Sequence, residues 1–394
     1  MKKKILFIMP SLQAGGAEKC LVNLLNEFDY NNYDVDLLLL NKTGIFLKLL
    51  PQQVKIITLQ DDFAVFSKNI LSSFFNFLLK GKFSLAYSRI AFTYKNRRIK
   101  NSGFAEQYSW KDLKKAIPTI DNNYDVAIGF LEKTSIYLTV DKVVAKQKIG
   151  FVNNDYKMLN LDSKFDEPYF SKLDYLFTVS ESCEEVLKDS FPSLTSKIKM
   201  MYNILSEKAI QNLANEKNDE LDKGINLVTL GRLSHQKGFD IAIKSCAILK
   251  QKGIDFKWYI LGEGEDRKAL EQLIIENDVA ANFILLGIKE NPYPYINNAT
   301  IYVQPSRFEG KSLAIDEAKI LHKPILVSNF PSAKDQITHL ESGIIVPLDA
   351  ESIAIGIENL IEDSELRAKL VSNLKMHHYG TESEINKLYQ LIDN

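Results

Sequence analysis

The stretch IYVQPSRFEGKSLAIDEAKILHKPILVSN, residues 301–329, reads as strand, loop, helix and strand. Ile301 to Gln304 is a short apolar run of buried-strand type, Pro305-Ser306 is a turn, a helix starts at about Ser312, and Ile325 to Ser328 is a second buried strand. A helix entered from a strand through a tight loop makes an anion-binding corner. Its first N–H groups have no intrahelical acceptor, and the positive end of the dipole points outward with them. Glu309 and Gly310 lie in the loop, and Glu317 lies about a turn inside the helix with its side chain leaning back toward the start. Two carboxylates therefore bracket a phosphate-sized site.

Working back from this corner, Ile225 to Leu230 reads as a strand ending in Gly231-Arg-Leu-Ser-His-Gln-Lys-Gly238, with a helix from about Phe239. Arg232 and Lys237 then stand at the carboxyl end of the first strand of an α/β domain, level with the acidic corner. A guanidinium fork and a compact ammonium suit a diphosphate; as isolated charges they would be ordinary surface residues. His235, between them, reads as a loop residue. Strand Lys257 to Leu261 leads into Gly262-Glu-Gly-Glu-Asp266, and Phe283 to Leu286 is another strand. Tyr293 and Tyr295 suit either stacking on a base or packing. Gly343 to Val346 is a last strand. Helices follow at about 350–361 and 365–374, and a final one carries the capping pattern Thr381-x-x-Glu384.

In the N-terminal half, strand Lys4 to Met9 runs into Ser11-Leu-Gln-Ala-Gly-Gly-Ala-Glu18 and an amphipathic helix. Gly15 and Gly16 let the backbone turn and approach another group where open α/β sheets bind ligands; a plain strand-helix turn is the alternative. The loop lacks the G-x-G-x-x-G dinucleotide pattern. Apolar runs at 35–40, 55–59, 126–130, 149–152 and 175–179 alternate with longer helical stretches, which predicts a parallel, doubly wound sheet. Asp34-Val35-Asp36 enters a strand rather than leaving one, against a metal site. Ser182 and Glu185 read as a capping box. The polar run 206–224 is the expected linker, separating an N-terminal domain (1–205) from a C-terminal one (225–376), with 377–394 a helix able to pack back on the first domain.

Residues 63–100 break the alternation: they hold eight Lys or Arg and nine Phe or Tyr, with no Asp or Glu. Such a stretch, within a basic aromatic insertion at 63–120, suits an anionic membrane surface or a helical insertion packed on its own domain. Both readings stand at this level.

The whole chain sets the outer limits. At 394 residues and a net charge of −1 it has room for two or three domains and no global basic field, so no nucleic-acid partner is expected. Cys20, Cys183 and Cys246 fit neither zinc spacing nor a disulfide framework. The apolar run Ile5 to Met9 is too short for a signal peptide, and no window is long enough to span a membrane. A cytoplasmic protein is expected, peripheral on the inner face of the cell membrane if the basic segment binds lipid.

Several motifs occur in order: GGAE (15–18), TVSES (178–182), YNI (202–204), GRLSHQKGFD (231–240), LGEGEDRKALE (261–271), and Glu309 with Glu317 as E-x7-E. On these the chain resembles the family 4 retaining glycosyltransferases of the GT-B fold, the bacterial group 1 enzymes that build polysaccharides and glycolipids, capsule and lipopolysaccharide among them. The resemblance implies two Rossmann-like doubly wound parallel-sheet domains facing across a cleft. It implies a hexosyl or N-acetylhexosaminyl transfer from a nucleotide-diphosphate donor, UDP-sugar favoured, to a polysaccharide or lipid-linked oligosaccharide, without metal or other cofactor. Glu309, Arg232 and Lys237 would be catalytic. The donor would be held by Gly16, Arg232, Lys237, Gly262, Glu309, Gly310, Lys311, Ser312, Leu313 and Glu317, with Glu317 on the ribose. The acceptor would meet Gly15, Gly16, Asn153 and Asn154. Two residues depart from the family's pattern. Asn153 stands where a histidine is frequent, which also admits a nucleotide-binding partner subunit without turnover of its own, and His322 stands where glycine is common.

Overall fold

The computed structural model describes residues 2–13 and 15–393; Met1, Asn394 and Ala14 of the first glycine loop lie outside them. Seven parallel strands form the first sheet: β1 (Lys3–Met9), β2 (Tyr33–Leu39), β3 (Lys55–Thr58), β4 (Ile120–Gly129), β5 (Val143–Val152), β6 (Tyr175–Thr178) and β7 (Ile198–Met200). Their order is β3-β2-β1-β4-β5-β6-β7. Six more form the second: β8 (Asn226–Leu230), β9 (Lys257–Leu261), β10 (Phe283–Gly287), β11 (Ile301–Gln304), β12 (Ile325–Ser328) and β13 (Ile344–Val346), ordered β10-β9-β8-β11-β12-β13. Helices cover both faces, so most strands are near-continuous runs of buried apolar residues, as parallel sheets require.

The strand order reverses between β1 and β4 in the first sheet and between β8 and β11 in the second. A doubly wound sheet opens a crevice at the carboxyl ends of its strands at such a point. The four loops that leave those strands are the glycine loop at 10–16, residues 130–133, residues 231–238 and residues 305–312. The two crevices face each other.

Four details differ from the sequence reading. β7 has no counterpart in it, being only three residues long. The polar run 206–224 is not all linker, because helix Glu207–Ala214 buries Ile210 and Ala214 against the second domain. The helix Glu181–Ser190 is capped by Ser180, whose Oγ accepts from Cys183 N at 3.2 Å, and not by Ser182. Thr381 and Glu384 form no capping box either: Thr381 Oγ1 donates to Asn203 O at 2.6 Å, and Glu384 Oε2 accepts from Tyr202 N at 2.9 Å. Asp34 and Asp36 both lie within β2, Asp34 exposed at its start and Asp36 buried, with its Oδ2 accepting from the Tyr124 hydroxyl at 2.7 Å.

The insertion between β3 and β4 is a cluster of helices, Asp62–Phe66, Ile70–Leu79, Phe83–Arg98 and Ser102–Leu113. At the other end of the chain, helix Ile385–Asp393 lies on the first domain, with Tyr389 stacked on Tyr33 (ring centres 5.1 Å apart) and accepting from Asp29 N at 2.7 Å.

Candidate active site

The loop 231–238 is built onto the loop after β11. Gly238 has φ +68°, and a Cβ there would fall 2.0 Å from Pro305 O, so only glycine fits. Arg307 grips the loop from below: its guanidinium donates to both Asp240 carboxylate oxygens, each at 2.8 Å, and to His235 O at 2.8 Å. Gln236 Nε2 donates to Phe308 O at 3.0 Å. Gly262 completes the floor, since a Cβ on it would meet Gly231 O at 1.9 Å.

This mounting brings Lys237 Nζ to Glu309 Oε1 at 2.6 Å, with both side chains largely buried. Ser306 Oγ donates to the same oxygen at 2.6 Å, and Gln304 Nε2 lies 3.3 Å from it. Glu309 is therefore a fixed carboxylate at the crevice floor, oriented by these three donors at Oε1 and by Gln236 Nε2, 3.5 Å from Oε2. Arg232 is different. Its side chain is 54% exposed, and the nearest carboxylate, Glu18 Oε1 across the cleft, is 4.0 Å away. Burial pushes the Glu18 carboxyl above its ordinary range, against the pull of its own backbone hydrogen bond and of Arg232.

Several of the expected donor contacts are engaged by protein partners in this structure. The Ser312 N–H is taken by Gln336 Oε1 at 2.8 Å, while Gln336 Nε2 donates back to Ser312 O at 2.8 Å, so that peptide is not open to a phosphate. Lys311 points away from the crevice floor, paired with Asp316 at 3.2 Å and lying 4.4 Å from the Tyr202 ring centre. Leu313 is buried at the start of helix Leu313–Ile320. Glu317 is buried too, and is engaged by Lys19 of the first domain and by Tyr293. The Tyr293 ring is covered by that lysine instead of lying open for a base.

On the facing wall, Gly15 and Gly16 open helix Gly16–Asn26. A Cβ on Gly15 would come within 2.9 Å of Arg232 Nη2, whereas Gly16 has open space. Asn153 Nδ2 donates to Phe130 O at 2.9 Å and its backbone N–H to Glu132 Oε2 at 3.1 Å. Its Oδ1 is buried without a hydrogen bond among the described residues, and Asn154 lies beside Glu132. Gly310 touches this wall directly, since a Cβ on it would fall 2.4 Å from Asn153 O. Ser180 Oγ donates to Gly310 O at 3.0 Å, and Ser182 Oγ to Asp335 at 2.9 Å. The two domains thus meet around the Glu309-Gly310 peptide.

Sequence reasoning missed Lys19, Gln236, Ser306, Glu132 and the pairing of Ser182 with Asp335. Lys19 carried a signal: it lies four residues after Gly15, on the helix turn that faces the crevice. The others depend on contacts between segments far apart in the chain.

Residues 211–377 match the family model of the group 1 glycosyl transferases. The C-terminal domain is thus similar to the group 1 glycosyl transferases. Similarity extends beyond that domain. An N-acetylgalactosamine-N,N'-diacetylbacillosaminyl-diphospho-undecaprenol 4-alpha-N-acetylgalactosaminyltransferase of Campylobacter jejuni is 26% identical over 93% of this chain and 92% of its own length. An uncharacterised glycosyltransferase of Methanocaldococcus jannaschii is 27% identical over 54% of this chain; the chain spans 58% of that protein. In three dimensions, Anabaena HepE in complex with UDP and glucose superposes with a TM-score of 0.71 over 100% of both chains at 16% identity. The group 1 domain is thus one half of a GT-B fold, with the first domain as the other.

Proposed function

We propose that the protein transfers a sugar from a nucleotide-diphosphate donor, a UDP-sugar by preference, to a polysaccharide or lipid-linked oligosaccharide, with retention of anomeric configuration and without a metal. The observation that carries the reading is the convergence, at the reversal points of two facing sheets, of an oriented Glu309–Lys237 pair and an exposed Arg232. In the transfer, the bond from the anomeric carbon to the diphosphate breaks with its electron pair leaving on the phosphate. The acceptor oxygen bonds to that carbon from the same face, and its proton passes to the departing phosphate. Arg232 and Lys237 neutralise the leaving charge in a site that needs no reorganisation to do so. Glu309 faces the sugar and supports positive character at the anomeric carbon, and Glu317 takes the ribose. The C. jejuni relative's name supports a lipid-linked acceptor and an N-acetylhexosaminyl group, and the HepE complex supports UDP.

Sugar transfer or donor hydrolysis is expected to persist in EDTA and to fall at least about a hundredfold in Glu309→Ala and Lys237→Ala. Full activity in both variants would overturn the site. Calorimetry that finds nucleotide binding with no turnover of any UDP- or GDP-sugar would instead favour the partner-subunit reading raised by Asn153.

The same proposal places the enzyme on an anionic membrane surface. The inserted helices have two faces. Phe66 and Phe77 are buried in their own small core, with Arg89 over Phe66, as the packing reading expects. Leu71, Phe75 and Leu79 on one helix and Phe83, Tyr87, Ile90 and Tyr94 on the next are exposed, at helical spacing. Exposed Lys68, Lys80, Arg97, Arg98 and Lys100 accompany them. No helix among the described residues is long and apolar enough to cross a membrane. An exposed apolar stripe with basic neighbours suits partial insertion at the lipid headgroups.

A further inference from the structure

Glu317 is 0% exposed, and its partners come from both sides of the cleft. Lys19, in the first turn of helix Gly16–Asn26, pairs with its Oε1, and the Tyr293 hydroxyl donates to the same oxygen at 3.3 Å. The Lys19 ammonium also lies 4.7 Å from the Tyr293 ring centre, a cation–π distance. Burial pulls the Lys19 ammonium down, but the Glu317 carboxylate and Tyr293 outweigh it and hold the lysine above its ordinary range, in its charged form. The second oxygen, Oε2, is buried and receives no hydrogen bond from the described residues. An unsatisfied buried acceptor is a place where a hydroxyl donor is favourable.

We propose that Lys19 is the positioning residue of the nucleoside subsite: in the closed cleft it holds Glu317, and the ribose hydroxyls of an incoming donor have to take that carboxylate from it. The inference rests on the assignment of Glu317 to the ribose. A carboxylate with no exposed surface is out of reach of a ligand until the domains part, and parting them breaks the pair. The Lys19–Glu317 contact thus stabilises a form in which that carboxylate is closed to the ribose. The apparent affinity of a nucleotide that uses the carboxylate falls in proportion to the fraction of molecules in which Lys19 holds it. Lys19 acts on the donor only through Glu317.

The test is calorimetric titration of the full chain with UDP and with 2′,3′-dideoxy-UDP, in the wild type and in Lys19→Met, Lys19→Gln and Lys19→Arg. Lys19→Met and Lys19→Gln are expected to bind UDP about tenfold more tightly than the wild type, the scale of an ordinary coupling between sites. Lys19→Arg keeps the charge and should match the wild type. The dideoxy nucleotide, lacking the hydroxyls that compete for Glu317, should bind all four proteins alike. Unchanged or weaker UDP binding in both neutral variants overturns the proposal, the latter by assigning Lys19 to holding the donor itself. An equal gain for both nucleotides also overturns it, because that reports general loosening of the cleft. A wild type that binds none of UDP, GDP and ADP removes the donor reading first, and this inference with it.

Discussion

Arg307 touches no expected substrate, yet the position of Lys237 depends on it. Its fork holds Asp240 and the His235 carbonyl, and so fixes the loop that carries both candidate phosphate-binding cations. The hydrogen bond from Arg307, with its charge, holds the Asp240 carboxyl below its ordinary value of 3.8 against a smaller desolvation effect. A carboxyl depressed in the folded state contributes stability that is complete above the unfolded value and disappears as pH falls through the folded one. Asp240→Asn should therefore lower stability by on the order of 1 kcal/mol at neutral pH, the scale of a partly exposed ion pair. The deficit should hold from about pH 8 to pH 5 and close only as the pH falls below the ordinary value, through the lowered folded one. Thermal unfolding across that range checks it; a deficit that grows on acidification would refute the pairing. His322 gives a second lesson at this scale. It adopts φ +52° just after helix Leu313–Ile320, where Lys323 N returns to Ala318 O at 2.9 Å. A left-handed residue closes the helix there, which is the physical reason glycine suits the position.

Among the elements, the inserted helices show where pattern reading stops. The sequence of 63–100 announces a basic and aromatic segment, and its composition is equally consistent with packing and with lipid contact. Only the placement of the helices shows that Phe66 and Phe77 are buried while Phe75, Phe83 and Tyr87 are exposed. Flotation with vesicles is expected to recover the protein with anionic lipid and much less with neutral lipid. Phe75→Glu combined with Phe83→Glu should abolish recovery while leaving the fold intact, as both side chains are exposed. Negligible recovery with both lipids would remove the membrane reading. The strands were the opposite case. Twelve of the thirteen were legible, since a parallel strand buried on both faces must be a continuous apolar run. The glycine loop and the 231–238 loop were legible as well, because both follow such strands at crevice positions.

At the scale of the whole molecule, what the sequence left hidden lies between domains. Arg232 with Glu18, Lys19 with Glu317, and Ser182 with Asp335 join residues more than a hundred and fifty positions apart, or close to three hundred for Lys19 and Glu317. No spacing rule reaches so far. Gly310 tests whether closure matters to turnover. A Cβ there would lie 2.4 Å from Asn153 O and 2.8 Å from Asn154 Cα, both backbone atoms that cannot swing aside. Gly310→Ala should hold the domains apart by a fraction of an ångström to an ångström, and lower kcat about tenfold to a hundredfold. UDP affinity should not fall, because parting the domains also loosens Lys19 from Glu317. Turnover kinetics beside calorimetry decides; a variant with normal kcat would show that full closure is not needed.

The chain crosses between the domains twice, at 201–206 and again at 376–384, and the two crossings are bonded to each other. Thr381 N donates to Leu205 O at 3.0 Å, Thr381 Oγ1 accepts from Leu205 N at 2.8 Å, and Tyr379 N donates to Glu207 at 3.2 Å. A single strand would act as a swivel. Two strands fastened side by side act as a door hinge, which permits bending about one axis and resists twisting. The opening and shutting of the cleft then has one degree of freedom, and each closure returns Gly310 to Asn153 in the same register.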